Sequence, residues 1–200
     1  MGCLSKIIKS VILCFALIGF VSLGGGDFIK TKWSEHVTKH SQSIEEKASK
    51  IGDFSKIGEE YELSKSVGLF GYNGVIAEHN SSGQKMVIFE SKKGNDIITE
   101  DDIRNNKVEE KINNLSKKFK YSAIKIEDLK LGTKGTMSAY GKTVPYVRFS
   151  AKVKKVPFGD IDGIISAYDA EGDSRLLISV NEKNKYSQII AQEFFKNVKK

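Results

Sequence analysis

The chain has 200 residues, 32 Lys and Arg against 25 Asp and Glu, and a formal charge of +7. That length suits one domain that buries its core unaided, and the only cysteines, Cys3 and Cys14, exclude a disulfide framework or thiolate metal site in the body. The basic balance favours anionic surfaces rather than nucleic acid, because no Lys/Arg block is longer than two.

The opening "MGCLSKIIKSVILCFALIGFVSLGGGDF" places Lys6 and Lys9 before an uncharged run from Val11 to Leu23. As a helix that run rises about 20 Å, short of the roughly 30 Å of a bilayer core. A short apolar run after a basic start, followed by small residues, has the form of a secretory signal, and Ser22 and Gly24 have the spacing a signal peptidase reads. Extending the run over residues 7–26 reaches spanning length but takes in Lys9 and several glycines. Lipidation fits less well: Lys6 stands where a myristoylation signal has Ser or Thr, and bulky Ile12 and Leu13 precede Cys14. Residues 1–26 are therefore read as a signal peptide or N-terminal membrane anchor. In both cases the positive-inside rule holds Lys6 and Lys9 in the cytoplasm and sends the body across the membrane. If uncleaved, residues 7–26 are the membrane contact.

Residues 27–57 read as an amphipathic helical linker. Val37, Ser41, Ile44, Ala48 and Ile51 recur at spacings of four and three, the seam of a helix that packs one face on the domain or serves as a stalk. Residues 58–200 form the globular part. Val75–His79 and Lys85–Ser91 flank "NSSG" as a hairpin. Thr99 caps a helix with Asp102 three residues on, and Ile103, Val108, Ile112, Leu115 and Phe119 extend it to the lysines at 117–120. Strand-like runs follow in "SAIKIEDLKL", "GTMSAYG", "VPYVRFSAKVKK", "DGIISAYD" and "RLLISVNE". The chain closes on a helix with Tyr186, Ile190, Phe194 and Val198 every four residues.

The expected fold class is α+β, a mostly antiparallel sheet flanked by helices. The element order, and the closing "GIISAYDAEGDSRLLISVNEKNKYSQIIAQEFFKNV", resemble the Mog1/PsbP-like α/β/α sandwich over about two-thirds of the chain. That resemblance implies a binding or assembly role rather than catalysis.

The residues themselves offer little chemistry. His36 and His40 are four apart, but "EHVTKH" lacks the glutamate of H-E-x-x-H, and His79 has no fixed relation to them. In "DAEGDS" the glycine comes too early for a calcium loop, so Asp169, Glu171 and Asp173 read as turn residues, as do Asp160 and Asp162 in "GDIDG". The body has no G-x-S-x-G, and "GLFGYNG" is neither a dinucleotide nor a phosphate loop. No metal, cofactor or nucleic acid is expected, and the oligomeric state is not legible. One feature remains. In "YVRFSAKVK" the residues Val147, Phe149, Ala151 and Val153 alternate with Tyr146, Arg148, Ser150, Lys152 and Lys154. Tyr146, Arg148, Lys152 and Lys154 then line the wet, basic side of a half-buried strand, a surface for anionic lipid, acidic glycan or an envelope protein. The expectation is an exported, non-enzymatic binding domain. The alternative is an extracytoplasmic hydrolase whose site is assembled in space, marked by a carboxylate or histidine facing a hydroxyl.

Overall fold

The computed structural model describes residues 44–69, 72–92, 98–116, 125–154, 159–170 and 173–200. The segment read as a signal or anchor, residues 1–26, lies outside them, as do His36 and His40. Among the described residues no helix is long and apolar enough to cross a membrane.

Strands β1 (Tyr61–Leu69), β2 (Tyr72–His79) and β3 (Lys85–Lys92) form a meander, with the expected hairpin between β2 and β3. The chain then crosses one side of the sheet through α2 (Glu100–Arg104) and α3 (Val108–Ser116). It returns as a second meander of β4 (Lys125–Ala139), β5 (Lys142–Lys154), β6 (Asp160–Asp169) and β7 (Asp173–Glu182). Strand β7 pairs with β3, joining both meanders into one antiparallel sheet ordered β1-β2-β3-β7-β6-β5-β4. The chain closes with α4 (Gln188–Asn197).

Side chains alternate across a strand, so the sheet builds a core on each side. On one side Val87, Phe89, Val147, Phe149, Ile165 and Ile178 pack with Ile103 of α2 and Val108 and Ile112 of α3. On the other, Val75, Met86, Ile88, Ile164 and Leu177 pack with Ala191, Phe194 and Phe195 of α4 and with α1 (Ile44–Ile51). The domain is an α+β, three-layer α/β/α arrangement.

Four local features differ from, or refine, the sequence reading. The amphipathic segment is part of the packed unit where it is described: Ala48 and Ile51 of α1, and Ile57 beyond it, are buried. Asp53 and Lys199 exchange backbone hydrogen bonds of 2.9 and 3.0 Å, tying the end of α1 to the end of α4. These residues are packed against the sheet rather than standing off as a stalk. Second, the single helix expected from Thr99 is two. Thr99 and Asp102 do form the capping box, but α2 ends at Asn105, and Asn106 adopts φ 59° before α3 restarts. A left-handed residue cannot continue an α-helix, and asparagine tolerates that conformation. Phe119 lies outside the described residues. Third, "SAIKIEDLKL" and "GTMSAYG" are not separate strands: β4 runs through both, with register shifts at Glu127/Lys130 and Leu131/Lys134. Fourth, α4 buries Ala191, Phe194 and Phe195, and leaves Ile189 75% exposed.

Candidate functional site

The alternation in β5 is realised. Val147, Phe149 and Ala151 are buried beneath α2 and α3, while Arg148 and Lys152 are exposed on the opposite side. The side chains of Val153 and Lys154 lie outside the described residues. Tyr146 belongs only partly to this surface, because its ring packs on the α4-side core and its hydroxyl accepts from Gln188 Nε2 at 2.6 Å. That seat depends on Gly135 across the ladder: a β-carbon there would lie 2.9 Å from the Tyr146 ring Cε1. Tyr146 thus fixes the start of α4 beside the basic strand.

The strands on either side set the charge of this face. Lys130 of β4 and Asp162 of β6 stand opposite Ser150, and Glu127 of β4 and Asp160 of β6 stand opposite Lys152. Asp162 is half-buried, and its Oδ1 has no hydrogen-bond partner among the described residues. Tyr186, just before α4, has a buried hydroxyl that likewise has no partner among the described residues. Burial pushes the Tyr186 phenol up; Tyr146 and Asp162 add to the rise, and Arg148 opposes it. Arg148, Asp162, Tyr146 and Tyr186 therefore share one electrostatic neighbourhood at the α4 start. The outcome is a group of cations, Arg148 and Lys152 on β5 and Lys130 on β4, bordered by Asp160 and Asp162 on β6 and by Glu127 on β4, with tyrosines beside it.

A second cluster on the same side of the sheet was not found from sequence. Arg175 of β7 is only 4% exposed, with Glu90 of β3 and Tyr168 of β6 directly opposite it on its two neighbours. Its Nη2 donates to Glu90 Oε1 at 2.8 Å. The guanidinium lies 4.6 Å from the ring centre of Tyr140 and 5.7 Å from that of Tyr168, and the two rings are 4.9 Å apart. Lys142 Nζ lies 5.4 Å from the Tyr168 ring centre. A buried arginine is held this way by a counterion and by aromatic faces, which attract a cation through their quadrupole. Burial also pushes the Tyr140 phenol up, with Arg175 opposing the rise and Glu90 and Tyr168 adding to it.

Comparison with known proteins adds little to this geometry. No family model and no curated protein matches the chain. The solution structure of cyanobacterial PsbP (CyanoP) from Synechocystis sp. PCC 6803 is similar over 71% of this chain and 84% of that one, at 13% identity and a TM-score of 0.33. A likeness that weak carries no function across.

The other sequence candidates fall to turns. His79 Nδ1 lies 2.9 Å from Ser82 Oγ, a histidine facing a hydroxyl as the hydrolase alternative requires. The same nitrogen also meets Ser81 Oγ at 3.3 Å and Ser82 N at 3.4 Å, while Ser82 Oγ accepts from Gln84 N at 3.2 Å. That is the internal bonding of the β2–β3 turn. Asp169 Oδ2 accepts from the Glu100 backbone at 3.0 Å, and Glu100 Oε1 accepts from the Asp169 backbone at 3.1 Å, pinning the end of β6 to α2. Glu171 and the Asp173 side chain lie outside the described residues. Among the described residues no three His, Cys, Asp or Glu side chains gather to hold a metal.

Proposed function

We propose that this is a non-enzymatic binding domain of an exported protein, and that the polar side of β5 is its contact surface for an anionic envelope component. The observation that carries the reading is the division of β5. Val147, Phe149 and Ala151 anchor the strand in the core, while Arg148 and Lys152 project into solvent, where folding places no demand on them. Cations held on a rigid strand pay little ordering cost on meeting a fixed array of negative charge. Lys130 and Glu127 flank the strip on one side, and Asp160 and Asp162 border it on the other, and this mixed pattern favours a discrete partner patch in one register over diffuse adsorption. Export rests on the N-terminal residues: Lys6 and Lys9, the Val11–Leu23 run and the small residues after it. If that segment is retained, residues 7–26 hold the domain at the membrane. Anionic lipid, an acidic glycan or an acidic protein patch would each fit the strip.

The test is co-sedimentation with phosphatidylglycerol vesicles and retention on an acidic-polysaccharide matrix, with phosphatidylcholine vesicles and a neutral matrix as controls. The expected result is salt-sensitive binding to at least one anionic support, lost on replacing Arg148 and Lys152 together with glutamine. Binding that survives this replacement excludes the strip as the contact.

A further inference from the structure

The "NSSG" that turns β2 into β3 carries a motif that the β5 surface leaves unexplained. Asn80-Ser81-Ser82 has the N-x-S form, in which a serine two places on lets the asparagine amide accept an oligosaccharide during export. Glu78 stands two places before Asn80, so the stretch also meets the longer, acid-led acceptor of bacterial envelope proteins. The structure puts the triplet where a bulky sugar can be carried. Asn80 and Ser81 are exposed. The turn beneath them is closed by His79 N–H donating to the Gln84 carbonyl at 2.9 Å and Gly83 N–H to the His79 carbonyl at 2.8 Å. A second triplet, Asn114-Leu115-Ser116, lies within α3. Acceptors belong to surface loops, so the two triplets are not equivalent.

The bonding of Asn80 permits attachment and sets its timing. An amide nitrogen carries two hydrogens. Asn80 Nδ2 donates to the Glu59 carbonyl at 3.0 Å, and the Asn80 backbone N–H donates to the Glu60 carbonyl at 2.8 Å. A glycosyl bond replaces only one of the two amide hydrogens, so one N–H remains for Glu59. The Ser82 hydroxyl is different. It lies 2.9 Å from His79 Nδ1 and accepts from Gln84 N at 3.2 Å. Once the hairpin has closed that hydroxyl is engaged, so the acceptor is open while the chain is still extended.

We propose that Asn80 is a site of N-linked glycosylation, modified during export before the β2–β3 hairpin closes. The sugar donor is a polyprenyl-diphosphate-linked oligosaccharide, and the transferase belongs to the export route. Asn80 Nδ2 gives up one proton and bonds to the anomeric carbon of the first sugar. The bond from that carbon to the diphosphate oxygen breaks, and the lipid diphosphate leaves with the electron pair. The folded domain then carries a bulky, solubilising group on an exposed turn. This site rests on the reading of the chain as exported.

The test uses the full chain purified from its native host, with cytoplasmic and exported fractions kept apart. Trypsin cuts after Lys65 and Lys85, so residues 66–85 are released as one peptide that holds Asn80. The expected result is an added oligosaccharide mass on this peptide from the exported fraction, placed on Asn80 by fragmentation. Ser82→Ala should abolish the modification, and Ser82→Thr should retain it. An unmodified peptide from exported protein overturns the proposal and leaves export standing. An unmodified chain confined to the cytoplasm overturns both. Sugar on Ser81 or Ser82, sugar on Asn114 in place of Asn80, or modification that survives Ser82→Ala also overturns the assignment.

Discussion

Arg148 and Arg175 lie on the same side of one sheet and have opposite fates. Arg148 sits on β5, next to the edge, and its side chain is exposed, although Val144 on the same side of the same strand is buried in the α4-side core. Arg175 sits on β7, the central strand, where residues 174–180 are all buried. The difference shows that place in the sheet, along a strand as well as across the strands, rather than residue type, decides whether a cation belongs to the surface or to the core. On β5 the charge is available to a partner. On β7 it is structural, and it must be matched from within.

The largest expected effect breaks the buried side of this comparison. Arg175→Met leaves Glu90 charged and unpaired, and should cost about 3–5 kcal/mol in urea denaturation. Combining it with Glu90→Gln should recover part of that loss, because the stranded charge is gone. Equal costs for the single and double variants would mean the ion pair contributes little beyond packing.

Gln84 sharpens the same contrast at the other end of β7. It is fully buried; its Nε2 donates to Ser179 Oγ at 2.9 Å and to the Ser187 carbonyl at 2.8 Å, and its Oε1 accepts from Ser187 N at 2.8 Å. Gln84→Ala strands the Ser187 groups at the start of α4 and should cost about 1–3 kcal/mol by the same measurement. A loss below about 0.5 kcal/mol would mean water replaces the amide freely.

A smaller, pH-dependent effect belongs to the opposite side of the sheet. Burial works to raise the Asp102 carboxyl, but hydrogen bonds from Lys111 and Thr99 and the Lys111 charge outweigh it and hold the group below the usual carboxylate range. A lowered folded-state pKa adds stability above the unfolded value near 3.9, and that stability is lost as pH falls through the folded value. Asp102→Asn should therefore cost about 1 kcal/mol near neutral pH and progressively less below about pH 4. A cost that does not change with pH would mean that the charge is not what Thr99 and Lys111 hold.

How much was legible follows the same division. The β5 surface could be read because a strand with core on one side and water on the other alternates, and "YVRFSAKVK" does so. The central strand has core on both sides, so "RLLISV" shows no alternation and gave no face to Arg175. A signal was nevertheless present: an arginine leading an apolar run needs a counterion, and Glu90 is the acid in the strand-like "VIFES". Tyr140 was hidden for a different reason. A tyrosine before a glycine reads as an ordinary turn, and only the backbone shows that it takes the left-handed place. The break between α2 and α3 could have been read from "NNK", where paired asparagines interrupt the helical spacing between Ile103 and Val108.

The most direct test of the account measures stability and binding on one variant. Arg148 and Lys152 are changed together to glutamate, and the chain is followed both by urea denaturation and by binding to the anionic support that retains the wild type. The account predicts a stability within about 0.5 kcal/mol of wild type and loss of binding. A variant that still binds, or one that loses binding only because its stability has collapsed, would contradict the assignment of the β5 face as the contact surface.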